Sequence, residues 1–228
     1  MVINAALTGP DAAPPDYRGA TPLVYYVPGE WKRRTIGTEN TGVVHGIFVT
    51  DWEGNGRQSI LTASFTGIHL FGFSGGERWT RTAIAPGDPA PWPKSGSSDL
   101  ALGHLAKTRF LAAIEPWHGN QVAVYTERGA RWEREVIDRS LNDGHTIQVA
   151  DLNGDGFDHI VAGFRGEPHS VYLYSHDAAT GRWVRTSLDN GGMGAAACAV
   201  ADLNRDGRPD IACIDSTRLK WYENAGAR

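Results

Sequence analysis

Asp151-Leu-Asn-Gly-Asp-Gly-Phe-Asp158, followed closely by the apolar run Ile160-Val-Ala-Gly163, decides the reading of the chain. Oxygen-bearing side chains at alternate positions, then glycine, then β-branched residues describe a cation-binding turn inside a β-hairpin. The phrase returns as Asp202-Leu-Asn-Arg-Asp-Gly-Arg-Pro-Asp210 before Ile211-Ala-Cys-Ile214. A weakened copy reads Asp51-Trp-Glu-Gly-Asn-Gly-Arg-Gln-Ser59 before Ile60-Leu-Thr-Ala63, and a shortened one, Leu100-Ala-Leu-Gly-His-Leu105, puts His104 at the anchor. The anchors 51, 104, 151 and 202 are 53, 47 and 51 residues apart. A period near ~50 residues, with strands on both sides of each turn, is that of β-propeller blades of four antiparallel strands.

Each unit reads alike. In the third, strand a falls near Thr146–Ala150, strand b near His159–Gly163, c near Ser170–Tyr174 and d near Trp183–Leu188. A tryptophan opens strand d in each full unit (Trp79, Trp132, Trp183), and its expected role is packing between blades. Ahead of the first full unit, Val2–Leu7, Leu23–Val27 and Trp31–Ile36 read as strands b, c and d; after the third, Ala196–Ala201, Asp210–Ile214 and Leu219–Tyr222 read as a, b and c. The expectation is a single all-β propeller domain of five units, roughly 1–41, 42–96, 97–143, 144–194 and 195–228. A four-bladed ring with spare strands, or part of a larger ring closed by further sequence or a second copy, stays open.

Composition narrows the partners. Of 228 residues, 41% are hydrophobic, enough for a packed core, and 28 Gly with 12 Pro suit short strands and tight turns. A net charge of −4 leaves no basic footprint for nucleic acid. There is no apolar run of the ~18 residues a membrane helix needs. The start, Met1-Val-Ile-Asn-Ala-Ala-Leu7, does not read as a signal peptide, so a cytoplasmic location is expected. Cys198 and Cys213 fall on neighbouring strands and are expected as buried free thiols.

The last acidic turn offers Asp202, Asn204, Asp206, the carbonyl of Arg208 and Asp210, the oxygen set of a Ca²⁺ or Mg²⁺ site. The third offers Asp151, Asn153 and Asp155, with Asp158 one place early; the first, with Glu53, Asn55 and Ser59, is weaker. The alternative is a turn braced by its own Asx hydrogen bonds without metal. These turns join strands a and b, on the face opposite the b–c and d–a loops.

That other face gathers a different residue set. Counting six back from each anchor makes His45, Ser98, His145 and Ala196 equivalent, at the start of the innermost strand. Glu115, Trp117, His118 and Arg165 stand nearby on b–c loops, and Lys94 and Asp99 on a d–a loop. Imidazoles can shuttle protons or hold Zn²⁺ or another divalent ion. Glu115 is a candidate general acid or base, and Arg165 a stabiliser of an oxyanion. Trp117, with Lys94 and Asp99, would hold a sugar. His69, His104, His169 and His176 are read as structural.

The acidic turns resemble the FG-GAP/VCBS repeat of integrin-like propellers. Asn4-Ala-Ala-Leu-Thr-Gly9, Pro22-Leu-Val-Tyr-Tyr26, Val44-His-Gly46, Glu115-Pro-Trp-His-Gly-Asn120, Asp143-Gly-His145, Val161-Ala-Gly-Phe-Arg-Gly166 and Leu219-Lys-Trp-Tyr-Glu-Asn224 further resemble the propeller of the aldos-2-ulose dehydratase/isomerase group. That resemblance implies a metal-dependent lyase or isomerase acting on a ketosugar such as 1,5-anhydro-fructose. It makes His45, Glu115, His118 and His145 candidate metal or acid–base residues. The family's propeller has more blades and is joined to cupin domains, which this sequence does not read as containing. Two other readings stand beside it: a Ca²⁺-braced propeller that binds carbohydrate or protein without catalysis, and a repeat that forms homo-oligomers through its incomplete end blades.

Overall fold

The computed structural model describes residues 2–5, 14–39 and 41–226, all strand, turn or irregular. Residues 6 and 7 of the expected strand Val2–Leu7 lie outside them. The chain forms two compact units, Met1–Asp99 and Leu100–Arg228.

In the first unit, β1 (Val2–Ala5), β2 (Leu23–Tyr26) and β3 (Arg34–Gly37) make a three-stranded sheet. A four-stranded sheet follows: β4 (Val44–Thr50), β5 (Ser59–Ser64), β6 (Gly67–Gly75) and β7 (Arg78–Ala85). From β8 (Asp99–Leu105) the second unit continues with β9 (Thr108–Glu115), β10 (Gln121–Arg128) and β11 (Arg131–Asp138). Its second sheet is β12 (Gly144–Ala150), β13 (His159–Phe164), β14 (Ser170–Asp177) and β15 (Arg182–Asn190). The last is β16 (Ala197–Ala201), β17 (Asp210–Ile214) and β18 (Leu219–Tyr222). Every neighbouring pair is antiparallel and consecutive in sequence, so the units are propeller blades.

Burial follows position within a sheet. Phe110 to Ile114 of β9 are all fully buried, as are Ile160 to Ala162 of β13, so these strands are covered on both faces and read as continuous apolar runs. The fourth strands β7, β11 and β15 are mostly exposed or half-buried and carry Arg, Thr and Glu. Trp79 stands edge-on to Tyr25 of the preceding sheet, and Trp183 to Phe110, so the inter-blade packing role holds for both.

A bulge recurs in four sheets. The ladder slips just after the pairs Leu23↔Gly37, Ile68↔Ala85, Val122↔Asp138 and Val171↔Asp189. Where an acid stands there, it binds the next sheet. Asp138 accepts from Tyr174 Oη and Arg185 Nη1, both at 2.9 Å; Asp189 accepts from Tyr222 Oη at 2.8 Å and Lys220 Nζ at 2.6 Å. Burial works against ionisation of Asp138, but hydrogen bonds from Ser140, Tyr174 and Arg185 outweigh it and hold the carboxyl below its ordinary range. Where Gly37 takes the acid's place, the aromatic of the next sheet is Phe71, which has no hydroxyl to satisfy.

The cysteines correct the sequence reading. Cys198 and Cys213 are directly opposed on β16 and β17 and form a disulfide. Directly opposed residues on antiparallel strands come closest at the narrow, non-hydrogen-bonded pairs, and here the Cα atoms are 4.1 Å apart.

Replacing Asp138 by Ala strands the buried Tyr174 hydroxyl and one guanidinium, and is expected to lower stability by about 2–3 kcal/mol in urea unfolding. Glu127→Ala, which opens the half-exposed pair with Arg109, should cost under about 1 kcal/mol. Equal effects would refute the clasp.

Candidate functional site

Three loops of the second unit bring His118, Asp143, His145 and Arg165 together. The β9–β10 loop turns through Pro116 with a cis Glu115–Pro116 bond and closes with Gly119 N–H on the Pro116 carbonyl at 2.8 Å. A Cβ at Gly119 would run into the Glu115 carbonyl, so only glycine makes this turn. The β11–β12 loop is stitched to it, Leu141 N–H on the Asn120 carbonyl (3.2 Å) and Gly144 N–H on the Gly119 carbonyl (2.9 Å). Asp143 sits between these stitches at φ 57°, a left-handed conformation that Asp tolerates better than most residues. The β13–β14 loop joins through Arg165 N–H to the Asp143 carbonyl (3.0 Å) and Gly166 N–H to the Asn142 carbonyl (2.9 Å).

Hydrogen bonding then sets the imidazoles. His118 Nδ1 lies 2.8 Å from Asp143 Oδ1, and also 3.0 Å from Arg165 Nη2. The carboxylate can only accept, so the shorter contact assigns the proton to Nδ1 and the lone pair to Nε2. His145 Nδ1 lies 2.6 Å from the Ala196 carbonyl, also an acceptor only, which assigns the same tautomer. The two rings meet edge to face at 5.0 Å. Arg165 in turn holds Asp143 at 3.1 Å. Burial, with the Arg165 charge, lowers both imidazole pKa values, so both rings are neutral at neutral pH. Burial raises the Asp143 pKa, but Arg165 and His118 overcome it and keep the carboxylate ionised. Trp117 lies beside His118, ring centroids 4.7 Å apart.

Residues 17–128 match the family model for the β-propeller domain of aldos-2-ulose dehydratase, and residues 151–213 that for an FG-GAP-like repeat. Aldos-2-ulose dehydratase of Phanerodontia chrysosporium is 27% identical over 226 residues, covering 85% of this chain and 24% of the relative's length. The chain is a β-propeller related in sequence to that enzyme's propeller domain, with an FG-GAP-like repeat at residues 151–213. It spans about a quarter of the relative. A solved structure concerned with recognition of non-reducing terminal N-acetylglucosamine by an Agrocybe aegerita lectin matches with a TM-score of 0.49 and 15% identity, over 99% of this chain and 63% of that one. At that score the likeness carries no argument.

Glu115, His45, Asp99 and Lys94 belong to other strands and connections. Glu115 is fully buried, its carboxylate held by Tyr125 Oη at 2.6 Å and Arg134 Nε at 2.9 Å. These partners stand on β10 and β11 of its own sheet. Tyr125 corresponds to Tyr174, and Glu115 supplies its acceptor from within the same sheet. In the first unit, His45 is extruded from the ladder at a bulge between Val44↔Ser64 and Gly46↔Ala63, as His145 is between Gly144↔Phe164 and Thr146↔Gly163. Asp99 opens β8, its Oδ1 2.9 Å from where a Gly46 Cβ would stand, and Lys94 is exposed on the β7–β8 connection. Asp143 was missed as a site residue, although its place immediately before Gly144-His145 was the available signal.

The acidic turns use their carboxylates internally. Asp151 accepts from the N–H groups of Gly154, Asp155 and Gly156, and Asp202 from those of Asp206 and Gly207. Asp206 carries the Arg208 guanidinium at 2.5 Å, and Asp210 caps Leu203 and Asn224 N–H. Asp158 leaves its turn to accept from His104 N–H at 2.7 Å. Asp151, Asn153 and Asp155 keep clustered oxygens without a guanidinium among them and fit a hard cation better than the last turn does.

Imidazole NMR titrations are expected to place the midpoints of His118 and His145 below the ordinary 6.5, and that of His69, buried beside Arg81, at about 4. Because the folded values are lowered, the stabilisation is complete above pH 6.5 and declines as pH falls toward the folded values. A midpoint above 6.5 for His118 or His145 would contradict the assigned environment.

Proposed function

We propose that the chain is a sugar lyase or isomerase of the dehydratase type, acting on a ketosugar, with its chemistry at His118, Asp143, His145 and Arg165. One observation carries this: two neutral imidazoles, each with Nδ1–H held by an acceptor, stand edge to face at 5.0 Å beside one guanidinium. The substrate class comes from the relationship to aldos-2-ulose dehydratase.

His118, oriented by Asp143, takes the acidic proton from the carbon beside the carbonyl on Nε2. The electron pair moves to the carbonyl oxygen, and Arg165 stabilises the resulting enolate. The electrons then return to expel the hydroxyl from the next carbon. That oxygen leaves as water with a proton from the imidazolium, and an enone remains. Trp117 offers a flat apolar face for the sugar ring.

The matching tautomers favour a second reading, in which His118 and His145 are ligands of a divalent ion. When bound, such an ion would polarise the carbonyl as a Lewis acid. The oxygens of Asp151, Asn153 and Asp155 are proposed for Ca²⁺ or Mg²⁺ in a bracing role.

Incubation with 1,5-anhydro-fructose, followed by enone absorbance, is expected to show turnover that drops at least ~100-fold in His118→Ala and Arg165→Met. Glu115→Gln should lose stability while the folded fraction keeps turnover. No product at high protein concentration would end the enzyme reading. Zn²⁺ or Mn²⁺ retained by the wild type and lost in His145→Ala would decide for the metal reading.

A further inference from the structure

A cavity of about 990 Å³ opens in the first unit, between the β2–β3 side of one sheet and the β6–β7 side of the next. It is at the upper end of the ~300–1,000 Å³ typical of small-ligand pockets. Its existence is a departure from the repeat. In the third copy the turn is sealed to its neighbour: Asp158 N–H reaches the His104 carbonyl (2.9 Å), Ala106 N–H reaches Gly156 (3.0 Å), and Phe157 bridges Leu105. The last copy is tied to the third by Asn224 Nδ2 on the Leu152 carbonyl (2.6 Å). In the first copy, Arg57 and Gln58 replace Phe157 and Asp158, and they line the cavity. Asp51 still braces that turn, accepting from Asn55 and Gly56 N–H, so the loop is formed.

The lining has a consistent chemistry. Phe73 is 48% exposed and leans on Trp79 at 5.1 Å, giving an apolar platform at the cavity wall. The buried indole N–H of Trp79 has no acceptor among the described residues, a cost of about 1–3 kcal/mol. Asn55, Gln58, Thr80 and Thr82 add neutral donors and acceptors. The lining carries charges of both signs: Arg34 pairs with Glu30 and Glu77, and Arg57 and Glu53 contribute one charge of each sign. A molecule with an apolar C–H face and a dense ring of hydroxyls matches both parts.

We propose that this groove binds a neutral oligosaccharide, one pyranose stacking on Phe73 and neighbouring hydroxyls meeting Gln58, Asn55 and Thr80. Cellotetraose, maltotetraose and chitotetraose would be titrated into the whole chain by calorimetry, with tryptophan fluorescence recorded in parallel. At least one is expected to bind with a fluorescence change, and Phe73→Ala and Gln58→Ala to weaken it ten-fold or more while the circular dichroism stays native. Both positions are exposed, so the variants should fold. His118→Ala should leave this binding unchanged, which keeps the test separate from that of catalysis. The proposal is overturned if none of the three binds at several millimolar. It is also overturned if binding survives Phe73→Ala and is lost in His118→Ala or Trp117→Ala, which would place the sugar at the other loops.

Discussion

A strand that is apolar on both faces can exist only with protein on both sides of it. Phe110 to Ile114 and Ile160 to Ala162 impose that condition on the second unit, and its other features answer to it. Stacking sheets so closely buries tyrosine hydroxyls between them, and each then requires an acceptor. Asp138 and Asp189 provide one from the preceding sheet; Glu115 does so from within its own. An acid that looks catalytic in the sequence is thus engaged in a demand created by packing.

The same bulges that seat these acids have counterparts at the opposite strand. His45 and His145 leave the ladder where an extra residue is inserted, so that their rings point out of the pleat. The loops around His145 are joined backbone to backbone, which fixes Asp143 and Arg165 relative to His118 without relying on long side chains. The imidazole group is therefore rigid, and its tautomers are set before any ligand arrives.

The period of the acidic turns was enough to place eighteen strands within a few residues, because turn chemistry and strand length repeat together. It also identified His118, His145, Trp117 and Arg165 as neighbours on one set of loops. What it could not supply was side-chain direction. Glu115 and His118 are three residues apart, yet one faces the sheet body and the other Asp143, a difference made by the turn at Pro116 and Gly119. Asp143 was legible only as part of a loop, since its role depends on a left-handed backbone that no spacing rule announces. The disulfide was misjudged because register decides whether two neighbouring-strand cysteines are directly opposed, and the register was not in hand.

That disulfide joins positions 15 residues apart, and the acidic turn from Asp202 to Asp210 lies inside the closed loop. Chain-entropy arguments assign a loop of this size roughly 3 kcal/mol. The cross-link makes β16, β17 and the turn between them a single covalent ring within a three-stranded sheet. Under load or protease attack, β18 can peel away alone, while the ring must leave as a unit.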